Sequence, residues 1–119
     1  MIRVIFQGGE DFQAFIAAAP QAIQKSLDGT AGVLADMMTA RAQQIVPVKT
    51  GTLQRSIMTR RLGLCNYAVE TVVEYAPFVE FGTTYMRAQP FMRPALIELA
   101  PRFADLFGEA LKANWRGLS

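Results

Sequence analysis

The sequence predicts an α+β domain: a long N-terminal helix, a small mainly antiparallel β-sheet, and a C-terminal helix packed on it. Three observations carry this. Apolar residues recur at three- and four-residue spacing through residues 11–46, and again through 96–115. Between those stretches, two short runs rich in β-branched and aromatic residues flank a reversal at 63–66. A third such run, Ile2-Arg3-Val4-Ile5-Phe6-Gln7, opens the chain.

The elements follow in order. Residues 2–7 read as a short strand at a sheet edge, ended by Gly8-Gly9. From Asp11 the stripe Phe12, Phe15, Ile16, Ala19, Ile23, Leu27, Leu34, Met37, Met38, Ile45 marks a helix, with Asp11 as its expected N-cap. Unbroken, it would run roughly 50 Å at ~1.5 Å per residue. Pro20, which has no N–H to donate, is expected to kink or divide it, and Gly29 and Gly32 mark a second weak point. Pro47 stops it. Thr50 or Thr52 is expected to cap one helical turn at 53–56, although Leu53 occupies the place where a full capping box from Thr50 needs Glu or Gln. Strands at 57–64 and 67–74 form a hairpin, and pairing with the first strand supplies the three strands that a stable sheet needs. Residues 75–82 make a helical turn ended by Gly82 in a positive-φ conformation. A loop follows at 83–89. Pro94 suits the first position of the last helix, which Pro101 is expected to kink, and its stripe includes Leu96, Leu99, Phe103, Leu106, Phe107, Ala110, Leu111 and Trp115.

A chain of 119 residues is one domain's worth, with no repeat or linker to divide it. Hydrophobic residues make up 51% and charged residues 18%, below the usual charged share of about 25%. That balance fits a domain partly covered by other subunits. Net charge is +2 with basic residues dispersed, so a nucleic-acid surface is not expected; the adjacent pair Arg60-Arg61 reads as solvated. The single Cys65 lies among leucines and reads as a reduced, packed thiol in a cytoplasmic setting. Residues 1–7 do not resemble a secretory leader, and no apolar run is long enough to span a membrane.

Catalytic chemistry finds little to work with. The chain has no histidine, which removes the commonest general base and any Cys–His nucleophile. No phosphate-binding glycine loop is present. Glu70 and Glu74 would stand about 13 Å apart at ~3.3 Å per residue, too far for paired-carboxylate hydrolysis, and both are expected on a solvent-facing strand edge. Glu80, between Val79 and Phe81, is expected to accept from Arg87 or Arg93 as a structural ion pair, with a subunit contact as the alternative. No enzyme activity, cofactor, metal or small-molecule substrate is expected.

Three segments carry a resemblance: Val46-Pro47-Val48-Lys49-Thr50-Gly51-Thr52-Leu53-Gln54-Arg55-Ser56-Ile57, Tyr75-Ala76-Pro77-Phe78-Val79-Glu80-Phe81-Gly82-Thr83, and Pro90-Phe91-Met92-Arg93-Pro94-Ala95-Leu96. In this order and spacing the chain resembles the tail-completion (neck) proteins of HK-97-type tailed phages, the family named for that phage's gene product ten. The resemblance covers residues from about 30 to 115. Val46, Lys49 and Met92 depart from the family's usual Ala, Asp and Leu. The resemblance implies a virion part, made in a phage or prophage, that completes the tail or neck and joins it to the head. Implied partners are the connector, tail proteins and copies of itself, closed in a ring that is six-fold by analogy with other neck rings. A tail-terminator or head-completion ring is the nearest alternative, and a nucleic-acid-binding module is the reading from another class.

Within these segments Leu53, Ile57 and Val79 are expected in the core, and Gly51 in a sharp turn after Pro47. Phe78, Phe91 and Arg93 are equally suited to core and to subunit contact, where aromatics and Arg are enriched. Met37 and Met38 are expected to add adaptable contacts to an exposed helix face. Tyr85, Met86 and Arg87 are expected to form a second exposed contact at the loop tip.

Overall fold

The structure, a computed structural model, describes residues 2–7, 10–48 and 51–115, with Phe6, Asp11, Ala104 and 107–115 described by backbone alone. The elements are β1 (Ile2–Phe6), α1 (Glu10–Ala18), α2 (Gln21–Ile45), α3 (Thr52–Ser56), β2 (Met58–Gly63), β3 (Asn66–Thr71), α4 (Ala76–Phe81) and α5 (Met92–Trp115). The expected α+β architecture is present. The expected end of the first strand at Gly8-Gly9 lies outside the described residues, as do the side chains of Phe107, Ala110, Leu111 and Trp115.

Pro20 divides the long helical segment. It stands in an extended conformation (φ −55°, ψ 150°) as the N-cap of α2, and its carbonyl accepts from the N–H groups of Ile23 and Gln24. The Gln24 side chain donates back to the carbonyls of Ile16 and Ala17, filling places that the end of α1 leaves open. Gly29 and Gly32 do not interrupt α2. At Gly32 a Cβ would stand 3.1 Å from the Tyr67 hydroxyl, so the bare backbone lets β3 approach the helix closely. α1 begins at Glu10, which puts Asp11 inside the first turn and not at the N-cap.

The sheet is antiparallel throughout, in the order β1-β3-β2. β1 is the edge strand that its composition predicts, and the β2–β3 hairpin turns at Leu64 and Cys65, the latter at φ 52°. α2 lies against β3 and β2, and α5 runs mainly along α2. The result is elongated, 59 × 22 × 20 Å. Two apolar clusters fill it. One joins Met38, Val69, Phe91 and Ala95; the other joins Ile16, Leu27, Leu34 and Cys65.

Burial corrects several expectations. Met38 and Phe91 are fully buried, so neither is a contact surface; α5 covers the face of α2 on which Met38 lies. Met37 is half-buried between the two clusters. Glu70 is 1% exposed, not solvent-facing. It sits on the central strand, opposite Arg3 of β1 and Met58 of β2. Its carboxylate accepts from Arg3 Nε at 2.6 Å and Arg60 at 3.4 Å, and those long side chains cover it. Arg61 bonds Asp28, so the arginine pair is engaged and not simply solvated. α5 starts two residues earlier than expected, placing Pro94 third in the helix; Pro101 lies within it.

Candidate assembly surface

The described parts of the three resemblance segments fold to one end of the molecule, and Glu80 ties the second segment to the third. Its carboxylate is 95% buried, being 5% exposed, and it bonds backbone, not an arginine side chain. Oε2 accepts from Phe91 N–H at 2.7 Å and Met92 N–H at 3.0 Å; Oε1 accepts from Arg93 N–H at 2.9 Å. An α-helix leaves four N–H groups without partners at its start. In α5 three of these are bound by Glu80, and the fourth position is Pro94, which has no N–H. The negative charge also faces the positive end of the helix dipole. The expected ion pair fails because the free N–H groups of α5 lie nearer and are fixed in position.

Local backbone devices set the rest. Gly51, at φ 77°, is the N-cap of α3, so Thr52 is its first residue and not its cap; the expected Thr50 cap lies outside the described residues. Ser56 donates to the Leu53 carbonyl and shares a 2.6 Å hydrogen bond with Thr71 of β3. Gly82 ends α4 at φ 76°, and its N–H reaches the Phe78 carbonyl. A Cβ there would lie 2.7 Å from the Ala88 nitrogen, so the loop can close only over glycine. Thr83 and Met86 exchange backbone hydrogen bonds, the Thr83 hydroxyl accepts from Tyr85 N–H, and Gln89 N–H returns to the Val79 carbonyl.

α4 sorts its side chains by face. Ala76 and Glu80 turn inward, and Val79 packs on the core formed with Leu53 and Ile57. Tyr75, Phe78 and Phe81, three apart, turn outward with exposures of 44, 53 and 67%. Tyr85 is almost wholly exposed and Met86 is open beside it. A cleft of about 340 Å³ lies among Pro47, Gly51, Leu53, Tyr75, Phe78, Val79, Met86 and Gln89. Arg55 and Arg87, next in sequence or space to its lining residues Gly51 and Met86, are exposed, and Arg93 is exposed at a separate, smaller cavity with Phe81, Ala88 and Pro90; none of the three is in an ion pair among the described residues. Pro90 is exposed at the elbow into α5.

Of the expected contact residues, Phe78, Tyr85, Met86, Arg87 and Arg93 are therefore exposed at this end; Phe91 lies at the same end but is buried, as is Met38, and Met37 is half-buried on α2. Tyr75 and Phe81, which the sequence groups with Phe78 and Val79 as aromatic surface around a tight turn, join them, and so does Arg55, which the sequence did not mark as a contact residue. The three-residue repeat Tyr75–Phe78–Phe81, read against the inward pair Ala76 and Glu80, was the signal for the first two.

A polar cluster ties α2 to the β2–β3 hairpin. Asp28 accepts from Cys65 N–H at 2.8 Å, from Tyr67 Oη and from Arg61. Burial raises its carboxyl, but these donors together outweigh that and hold it below the ordinary carboxylate value. Burial, reinforced by Asp28, pushes the Cys65 thiol up to about 11. The thiol is buried and protonated, as its leucine context predicts. No helix among the described residues is long and apolar enough to cross a membrane.

A family model, HK97-gp10_like, described as "Bacteriophage HK97-gp10, putative tail-component", matches residues 10–82. The matched stretch runs from the start of α1 to Gly82 and contains the first segment and all of the second but Thr83. No curated protein and no solved structure matches the chain.

Proposed function

We propose that this chain, which belongs to the HK97-gp10-like family of phage tail components, completes the upper end of the tail or neck so that it can join a DNA-filled head. The observation that supports this reading is the uncovered aromatic and arginine surface around Phe78 and Tyr85, set on a braced backbone. Such a part works by shape. Aromatics, Met and Arg are the residues that subunit contacts favour.

The chain acts as one domain of the assembled virion, in a cyclic array of like subunits between connector and tail. A subunit that meets its neighbours through two different surfaces closes into a ring when the rotation allows; six-fold closure is the proposed case. The protein is made in the host cytoplasm and leaves in the particle.

Deletion of the coding sequence from a phage or inducible prophage, followed by electron microscopy, tests the reading. Full heads and finished tails should accumulate unjoined, and supplying the chain in trans should restore virions. Normal virions without it reject the role.

A further inference from the structure

Among the described residues the aromatic end carries three arginines in no ion pair beside one exposed carboxylate, Glu74, and the far end of the molecule carries exposed carboxylates with Lys25 near them. α1 packs inward through Phe12 and Ile16, and Ala19 just after it does the same. Its other face, with Ala14, Phe15 and Ala18 at three- and four-residue spacing, is exposed, and Phe15 is 42% open. Small residues around one aromatic make a knob that another surface can approach closely. Glu10 opens α1, and Asp105 of α5 lies between Phe103 and Leu106, which pack or border on the same cluster; both carboxylates are exposed and in no ion pair among the described residues.

Charge decides the pairing. Two aromatic ends meeting by two-fold symmetry would bring Arg55, Arg87 and Arg93 against their own copies. An aromatic end meeting an α1 end brings the arginines to Glu10 and Asp105. Like charges across an interface are penalised and opposite charges steer encounter. A head-to-tail contact is also the kind that propagates around an axis. The cleft, about 340 Å³, has room for a phenylalanine ring and for part of the helix that carries it.

We propose that the cleft between α3 and α4 receives helix α1 of a second copy of this chain, with Phe15 entering beside Phe78 and Met86 and Glu10 facing Arg87 and Arg93. The proposal deepens the tail-assembly reading by naming the contact between subunits, and it rests on that reading for the ring alone.

Cross-linking with a short bismaleimide tests it on the purified full chain at high concentration, since the native Cys65 is buried and unreactive. Phe15→Cys mixed with Met86→Cys should give a cross-linked dimer, and neither variant alone should. The double variant should give a ladder or a closed ring. Arg87→Glu with Arg93→Glu should weaken self-association at least tenfold by sedimentation, and adding Glu10→Arg should restore it. Dimers from Met86→Cys alone, or no product in the mixture across the concentration range, overturn the proposal. Because the deletion phenotype is read separately, unjoined heads and tails together with a failed cross-link would sink this contact and leave the tail role standing.

Discussion

Replacing Glu80 by Ala removes the acceptor for three N–H groups at the start of α5. Phe91 and Met92 are buried, so their N–H groups lose a partner that water replaces poorly; Arg93 is exposed and can turn to water. Each buried donor left unpaired costs about 1–3 kcal/mol. Loss of the charge at the helix start adds about 0.5 kcal/mol. Water entering beside Pro90 and Arg93, where a small cavity already borders Glu80, offsets part of this. The expected loss is about 3 kcal/mol, a large share of a stability that is typically about 5–15 kcal/mol. At about 4 °C per kcal/mol for a domain near this size, Tm falls by about 12 °C. Glu80→Gln keeps one oxygen for Phe91 and Met92 but turns an amide toward Arg93, and should cost about 1–2 kcal/mol. Glu74→Ala, exposed on the same stretch, should change stability by less than ~0.5 kcal/mol. Urea unfolding with amide exchange at residues 91–93 reads all three. A Glu80→Ala loss below about 1 kcal/mol, or unchanged exchange at those amides, would refute the claim that this carboxylate holds α5 to α4.

Gly51→Ala forces a side chain into the left-handed region (φ 77°, ψ −6°), worth about 1 kcal/mol, and Gly82→Ala forces one into a region (φ 76°, ψ 176°) that is essentially glycine's alone, worth about 1–3 kcal/mol. At Gly82 the new Cβ also meets backbone at 2.7 Å, whereas at Gly51 it meets the movable end of Arg55; thermal unfolding should therefore show the Gly82 variant clearly the less stable. Met38→Ala should cost about 2–5 kcal/mol as a core truncation, while Tyr85→Ala should leave Tm unchanged and show its effect in assembly. The Asp28 carboxyl is held below its ordinary value, so its contribution is present above the unfolded value near 3.8 and is lost as pH falls through the folded one. Asp28→Asn should flatten the acid limb of stability against pH below about 4, and an unchanged acid limb would count against the cluster. Cys65, with its thiol raised to about 11, should react with a maleimide at pH 7.5 at the rate of unfolding, and far faster in urea; prompt labelling of the native chain would contradict its burial.

The fold was legible where one residue type has one backbone consequence. Pro20 had to divide the first helix, Gly82 had to end the second motif, and the run of β-branched residues before Gly8 had to find a partner strand. Side-chain fates were harder to read. Glu70 alternates with apolar residues as a solvent-facing position would, and its burial depends on two arginines from strands 67 and 10 residues away in sequence. Met38 and Phe91 are apolar in either role, and what decides them is how α5 lies on α2. Glu80 was recognised as polar and pairable, but its true partners are backbone groups, which carry no residue signature.

That distinction bears on how the surface can work. Gly51, Glu80, Gly82 and Pro94 shape the backbone, and each is largely buried or lacks a side chain to show; Pro47 does so too but also lines the cleft. Phe78, Phe81, Tyr85, Arg87 and Arg93 make the open face and carry little of the fold. A substitution at an open residue can therefore change what is bound without moving the backbone that presents it. Loss of Glu80, by contrast, frees the start of α5 from α4, and the arginine at position 93 with it. Charge reversal at Arg93 and truncation of Glu80 should both weaken assembly, and only the second should lower Tm. If Arg93→Glu lowered Tm by as much as Glu80→Ala, the separation between frame and contact surface would be wrong, and Arg93 would belong to the frame.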